Sequence, residues 1–188
     1  MLAALIRQHG PCGLAAAQRT DHFTALVRAI TNQQLSTKAA ATIYTRLAAL
    51  MPGEVPVPDA VSALTDTELR QVGYSRQKIG YLRDLCRRVQ DGTLDLAEIE
   101  ALPDEEVIAR LTQVKGIGRW SAEMFLMFRL HRPDILPVGD LGIVNAIRRQ
   151  YRLRKAPTPE RMRKIGRAWE PYRSIACWYL WRSLDNEP

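Results

Sequence analysis

Two closely spaced glycines in this sequence form a pattern that could bind phosphate. Gly116 and Gly118 flank Ile117, and two cations, Lys115 and Arg119, stand on either side of them. Residues with helical apolar spacing precede and follow this segment, so the pattern predicts a tight hairpin between two helices. Glycine permits the positive φ angles of such a turn, and outward-facing amides at the start of a helix bind phosphate. The added charges favour a DNA backbone as the ligand, although a glycine pair alone indicates only a turn.

A single carboxylate follows in the segment Leu136–Leu141. Asp140 precedes residues with helical spacing, so its simplest role is that of a helix N-cap. An N-cap carboxylate can also face a cleft and take part in chemistry, and the residues alone leave both roles open. The residues with this helical spacing are Leu141, Val144, Ile147 and Tyr151.

The elements that must position these groups are predicted to be helices almost throughout, about ten of them, because apolar residues recur at intervals of three and four and no alternating strand pattern occurs. Prolines next to acidic residues predict helix starts at Pro103, Pro159 and Pro171. The first hairpin helix is expected to end at Val114, and the second to run through Phe128. The apolar stripes are Phe23, Leu26, Val27 and Ile30; Ala40, Ile43, Tyr44 and Leu47; Ile79, Leu82, Cys86 and Val89; and Val107, Ile108, Leu111 and Val114.

Composition excludes several classes of protein. With 188 residues, 46% hydrophobic and 25% charged, the chain resembles an ordinary globular protein rather than a disordered or fibrous one. No apolar run approaches the ~18–20 residues that cross a bilayer, and no signal peptide is recognisable. The three cysteines, Cys12, Cys86 and Cys177, are far apart in sequence, which argues against a zinc or iron–sulfur site. We expect a soluble protein that stays inside the cell.

The net charge of +7 is unevenly distributed along the chain. Between Arg148 and Arg167 there are nine basic residues and one acidic residue, Glu160. A basic face of this kind suits a polyanion such as nucleic acid. A solvated, arginine-rich helical surface would give the same pattern, and charge alone does not separate the two interpretations.

Five segments together resemble a known family. The hairpin segment and the Asp140 segment are similar to the helix-hairpin-helix–Gly/Pro–Asp signature of DNA base-excision glycosylases. The resemblance covers residues 20–184 and is strongest to the 3-methyladenine DNA glycosylase II family, in a compact form without the N-terminal β-rich domain. The five segments, in chain order, are Ala29–Ser36, Gly73–Leu82, Val114–Ala122, Leu136–Leu141, and Trp169–Ser174 with Trp181 beyond it.

The resemblance implies an all-α fold with two helical subdomains and a DNA-binding cleft between them. The whole chain, residues 1–188, would be one glycosylase domain, with the helix-hairpin-helix at about 103–131 and the catalytic segment at about 136–150. The target nucleotide would be flipped out of the duplex. Asp140 would stabilise the oxocarbenium-like sugar and orient the attacking water. Lys115, Gly116, Ile117, Gly118 and Arg119 would bind the DNA backbone.

The same resemblance assigns residues to the base pocket and to a DNA wedge. Trp120, Met124 and Trp181 fall at pocket-lining positions, and aromatic walls suit an electron-poor base. Core packing is the other interpretation of the tryptophans, and Met124 replaces the aromatic residue of well-known relatives. Gln34 or Leu35 would be the wedge that fills the gap in the base stack.

The resemblance also predicts the type of reaction. Relatives that cut the backbone, which resemble endonuclease III, carry a catalytic lysine two residues after the second hairpin glycine. Here that position is Trp120, so no Schiff base with the sugar can form. We expect a monofunctional hydrolase that uses no cofactor and no metal and leaves an abasic site.

Two other functions remain consistent with the sequence. One is a glycosylase for deaminated, ethenylated or mismatched bases, and the other is a non-catalytic helix-hairpin-helix module that only binds DNA. The expected partner is double-stranded DNA containing alkylated bases, with no membrane and no obligatory protein partner. We expect a monomer in the bacterial cytoplasm, associated with the nucleoid.

Overall fold

The computed structural model describes residues 1–14 and 20–184, and their regular structure is entirely helical. The all-α prediction is therefore confirmed for this part of the chain. None of the described helices is both long and apolar enough to cross a membrane. The helices are α1 (Leu2–His9), α2 (His22–Asn32), α3 (Thr37–Ala48), α4 (Pro58–Ala63), α5 (Asp66–Val72), α6 (Arg76–Gln90), α7 (Asp104–Leu111), α8 (Arg119–Phe128), α9 (Leu141–Gln150), α10 (Pro159–Gly166) and α11 (Arg173–Arg182).

The described residues form two compact units. Residues 20–125 make up one unit, in which α2 packs against α3 and α6, and α4 and α5 pack against α6. Residues 1–14 and 126–184 make up the other unit, in which α11 packs against α1 and α9. The chain passes from the first unit to the second within α8.

Most residues of the predicted apolar stripes in the first unit lie in its core, although Ile43, Tyr44 and Val89 are half-buried. The stripe of α2, from Phe23 to Ile30, is buried, and Leu82 of α6 and Leu111 of α7 are completely buried. Burial of such side chains contributes roughly 1.5–3 kcal/mol each to stability. Sequence periodicity is a reliable guide here because each helix presents one face to the interior.

The predicted stripe of α9 is correct for Ile147, which is completely buried, and wrong for its two ends. Leu141 is 72% exposed and Tyr151 is 37% exposed, whereas Ile143 and Ala146 are completely buried. The packed face includes small residues because it receives the large indole of Trp181 from α11. A Cβ atom at Gly142 would lie 2.9 Å from this ring.

Helix starts follow the predicted signals in two cases and depart from them in one. Thr158 caps α10 with Pro159 at its first position, and Pro103 immediately precedes α7. The start predicted at Pro171 is wrong because α11 begins at Arg173. The carboxylate of Asp134, 39 residues earlier, accepts a hydrogen bond from the Arg173 N–H at 3.2 Å and from its Nε at 2.7 Å. This cap comes from a distant residue and leaves no local sequence signal.

Helix α7 ends at Leu111, three residues before the predicted end at Val114. Val114 N–H donates to the Leu111 carbonyl at 3.1 Å, and Ile117 N–H donates to the Val114 carbonyl at 3.0 Å, so the chain turns tightly here. The buried carboxylate of Asp84 on α6 accepts the Lys115 N–H at 2.9 Å. The hairpin is therefore held on α6.

Asp84 has several hydrogen-bond donors that compensate its burial. Burial by itself raises the pKa of this carboxyl, but hydrogen bonds from the Lys115 N–H, Arg87 and Arg88 outweigh it and bring the pKa to about 2. An unfolded aspartate has a pKa near 4. The charged carboxylate therefore stabilises the fold above about pH 4, and this contribution is lost as the pH falls toward 2.

We expect Asp84→Asn to lower the free energy of unfolding by about 1–2 kcal/mol at pH 7, because the amide cannot accept all of these donors. Denaturant unfolding of both proteins at pH 7, 5 and 3 measures the difference. It should shrink at pH 3, because Asp84 of the unfolded chain is then mostly protonated and part of the stabilisation by the folded carboxylate is lost. A difference of the same size at every pH would contradict the assigned role.

Candidate functional site

Only the first of the two hairpin glycines is required by the backbone. Gly116 has a φ of +82°, and a Cβ atom there would overlap the ring of Tyr81. Gly118 lies outside the positive-φ region, and a Cβ atom there would meet nothing within 4 Å. The turn therefore uses a positive φ at Gly116 and not at Gly118. Close packing against Tyr81 makes the first glycine indispensable.

Fewer hairpin amides face outward than the glycine pattern predicts. The Lys115 amide is bound to Asp84, and the Ile117 amide is bound within the turn. Ile117 also buries its side chain, which is 4% exposed. Among the described residues, the amides of Gly116 and Gly118 have no acceptor. These two exposed N–H groups are the donors that a phosphate could reach.

The two hairpin cations have different surroundings. Lys115 is exposed to solvent. The guanidinium of Arg119 contacts Glu105 at 2.6 Å and the buried Glu123 at 3.1 Å. Hydrogen bonding to Glu105 raises the pKa of Arg119, and the same bond lowers the pKa of Glu105. Arg119 thus connects α7 to α8, and two carboxylates offset its charge, whereas Lys115 presents its charge to solvent.

The loop 33–36 joins α2 to α3 and exposes the two predicted wedge residues. Gln34 has a φ of +57°, and Leu35 is 39% exposed. Ser36 caps α3 by accepting the Ala39 N–H at 3.3 Å. The cap and the exposed tip coexist, so the polar-turn interpretation does not exclude the wedge interpretation.

The side chain of Asp140 is buried and held by two donors. It caps α9 through Oδ1, which accepts the Ile143 N–H at 2.8 Å and the Trp181 Nε1–H at 2.9 Å. The residue is 8% exposed. A side chain at Gly142 would come within 3.0 Å of both Asp140 and Trp181. The carboxylate is therefore fixed in one orientation at the positive end of a helix.

Among the described residues, this carboxylate belongs to no group of potential metal ligands. Within residues 1–14 and 20–184, no three histidine, cysteine or acidic side chains lie close enough together to hold a metal ion. The chemistry available from the described side chains is that of an oriented carboxylate with nearby aromatic rings.

Comparison with known proteins identifies the family. A model of the helix-hairpin-helix superfamily of base excision DNA repair proteins, known as HhH-GPD, matches residues 27–171. This chain belongs to the HhH-GPD superfamily. DNA-3-methyladenine glycosylase 1 of Schizosaccharomyces pombe is 38% identical over 168 residues, which cover 88% of this chain and 74% of that protein.

Two solved structures resemble this HhH-GPD chain over nearly its full length. The crystal structure of a DNA-3-methyladenine glycosidase from Bacillus halodurans has a TM-score of 0.84 at 36% identity and covers 98% of this chain and 89% of its own. A 3-methyladenine DNA glycosylase of S. pombe in complex with abasic DNA has a TM-score of 0.83 at 34% identity. The match covers 97% of this chain and 90% of that chain.

The predicted base-pocket residues of this HhH-GPD chain differ in exposure. Trp120 is 50% exposed, and Met124 follows it by four residues on α8 and is half-buried. Trp181 is also half-buried. Phe128, which sequence reasoning missed, stacks on Trp181 with centroids 5.8 Å apart and planes at 28°. Phe128 follows Trp120 and Met124 at intervals of four, and this spacing was the sequence feature that could have identified it as a site residue.

The basic segment of the HhH-GPD chain is exposed. All nine of its arginine and lysine side chains between residues 148 and 167 are exposed, at the end of α9, in the following turn and on α10. This makes them available to a polyanion.

We expect the two hairpin glycines to respond differently to substitution by alanine. Gly116→Ala should destabilise the protein by about 2 kcal/mol or more, because it adds left-handed strain to a clash with Tyr81. Gly118→Ala is the matched control and should change stability by no more than about 0.5 kcal/mol. Urea unfolding measures both, and equal effects would contradict the assignment.

Proposed function

We propose that this chain is a DNA glycosylase that hydrolyses the N-glycosidic bond of alkylated purines in double-stranded DNA. The products would be a free base of the 3-methyladenine or 7-methylguanine class and an abasic site. The observation that carries the proposal is the buried Asp140 carboxylate, fixed by two N–H donors. Membership of a base excision repair superfamily and relatives named for 3-methyladenine support it.

Hydrolysis of this N-glycosidic bond requires little more from the protein than a correctly positioned carboxylate. Alkylation at N3 or N7 gives the purine a positive charge, which weakens its bond to the sugar. Departure of the base leaves an oxocarbenium-like sugar, and the negative Asp140 would stabilise that charge and orient water toward C1′. Because Ile143 and Trp181 already hold the carboxylate, little reorganisation is needed as the charge develops.

Binding and extrusion of the nucleotide are assigned to separate residues. The exposed Lys115 and the outward amides of Gly116 and Gly118 would bind the DNA backbone. Gln34 or Leu35 would fill the gap left by the flipped nucleotide. The exposed basic segment would add sequence-independent affinity. The abasic DNA held by the S. pombe relative is the kind of product that this reaction would leave.

Base recognition is assigned to Trp120 and Met124 on α8 and to Trp181 on α11. The exposed face of Trp120 suits stacking with a cationic base, because the ring quadrupole attracts positive charge. Trp120 also stands where lyase relatives carry an amine. The proposed reaction is therefore hydrolysis without cleavage of the strand.

We expect Asp140→Asn to lower the rate of methylated-base release by about 10²–10³-fold. Asparagine can still accept the two hydrogen bonds, so the cap of α9 and the fold should persist. Chromatography of bases released from methylated DNA under single-turnover conditions measures the rate, and duplex binding is the control. A variant as fast as the wild type would overturn the role of Asp140. If both proteins bind DNA but release no methylated base, the same assay on duplexes that contain ethenoadenine, hypoxanthine or mismatches separates a glycosylase for other lesions from a binding module.

We expect Trp181→Phe to slow base release about tenfold, because it removes the Nε1–H donor and keeps an aromatic ring against Phe128. Trp178→Phe makes the same substitution one turn earlier on α11, away from Asp140, and should retain the wild-type rate. Single-turnover rates of the two variants give the comparison. Equal rates for both would show that the indole donor does not position the carboxylate.

A further inference from the structure

The ammonium group of Lys78 on α6 binds the end of α2. Its Nζ donates to the Thr31 carbonyl and to the Gln33 carbonyl, both at 2.7 Å. The last carbonyls of a helix lack partners within the helix and attract cations. Burial lowers the pKa of Lys78, in agreement with a group drawn in from solvent. Lys78 therefore acts as a C-terminal cap supplied by another helix.

The same loop is also attached to the hairpin. The side-chain amide of Gln33 donates to the Gly116 carbonyl at 2.7 Å. Helix α6 contacts the hairpin through Tyr81, which packs against Gly116, and through Asp84, which accepts the Lys115 N–H. Lys78, Tyr81 and Asp84 follow one another at three-residue intervals on α6, so a single helix holds both the loop and the hairpin.

The tip of the loop has a conformation that its own residues do not favour. Gln34 lies in the left-handed region with a φ of +57°, which a non-glycine residue adopts only when its surroundings require it. On one side of it, the Gln33 carbonyl is bound by Lys78, and on the other the Leu35 N–H donates to the Asn32 carbonyl at 3.2 Å. These bonds leave Leu35 exposed at the tip.

We propose that Lys78 is the positioning residue of the loop 33–36. It holds Gln34 and Leu35 in the conformation that enters the DNA stack and, through Gln33, keeps them in register with the hairpin. The proposal rests on the proposed function in that the loop acts on DNA, but the positioning itself is a property of the free protein. Lys78 would touch neither the base nor the sugar.

The first test uses two substrates that differ in their need for a wedge. We expect Lys78→Gln to slow base release at least tenfold when 7-methylguanine is paired in duplex DNA. It should act within about twofold of the wild-type rate when the lesion faces an abasic site, because an unpaired base is easier to extrude. Gln33→Ala, which removes only the bond to Gly116, should slow base release less than Lys78→Gln does. It should likewise affect the paired lesion more than the lesion that faces an abasic site. Equal losses on both substrates would overturn the proposal.

The second test separates positioning from direct contact with phosphate. A lysine that binds phosphate contributes about 0.9 to the slope of log affinity against log salt concentration. We expect Lys78→Gln to retain the wild-type slope on undamaged duplex, and Lys115→Gln, the matched lysine on the hairpin, to lower it by about 1. A lowered slope for Lys78→Gln would assign this residue to the DNA backbone instead.

The third test needs no glycosylase activity. Amide hydrogen exchange in the free protein should become at least tenfold faster at Leu35 in Lys78→Gln, while the Ile143 amide of the other unit stays unchanged. Unchanged exchange at Leu35 would overturn the positioning role. Because this readout requires neither DNA nor catalysis, it still decides the proposal if the wild type releases no methylated base.

Discussion

The constraint on which this structure depends is that a buried carboxylate needs fixed hydrogen-bond donors. Asp140 meets it with the Ile143 amide and the Trp181 indole, and that arrangement requires α9 to pack on α11 with Gly142 at the point of approach. Asp84 meets it in the other unit with the Lys115 amide and two arginines, which fixes the hairpin on α6. In each unit, the donors that compensate one carboxylate also define the geometry of a functional segment.

Local features of the fold could be predicted from the sequence, and features that depend on distant partners could not. The stripe of α2 and the cap at Thr158 follow from neighbouring residues. The start of α11 depends on Asp134, 39 residues away, and the charge compensation of Arg119 depends in part on Glu105, 14 residues away. No spacing rule relates such pairs, so the sequence suggested a more highly charged hairpin with more outward amides than the structure has.

The candidate site was predictable in its residue types but not in its connections. Asp140 had two interpretations, helix cap and catalytic group, and the cap that Oδ1 provides to α9 does not exclude the catalytic one. Trp181 was expected either as a wall of the base pocket or as a core residue, yet its indole N–H donates to the Asp140 carboxylate. Phe128 was not predicted as a site residue, although it continues the four-residue spacing of Trp120 and Met124 on α8. Long-range hydrogen bonds thus bring residues with ordinary structural roles together in the candidate site.

The most direct test of the central claim is product analysis on a duplex that contains 7-methylguanine at one position. The wild-type protein and DNA are incubated under single-turnover conditions, and the free base and the strand length are measured before and after alkali. The account predicts that 7-methylguanine is released while the strand stays intact until alkali cleaves it at the abasic site. Strand cleavage before alkali would contradict hydrolysis without a lyase step, and the absence of any released base would contradict the proposed glycosylase activity.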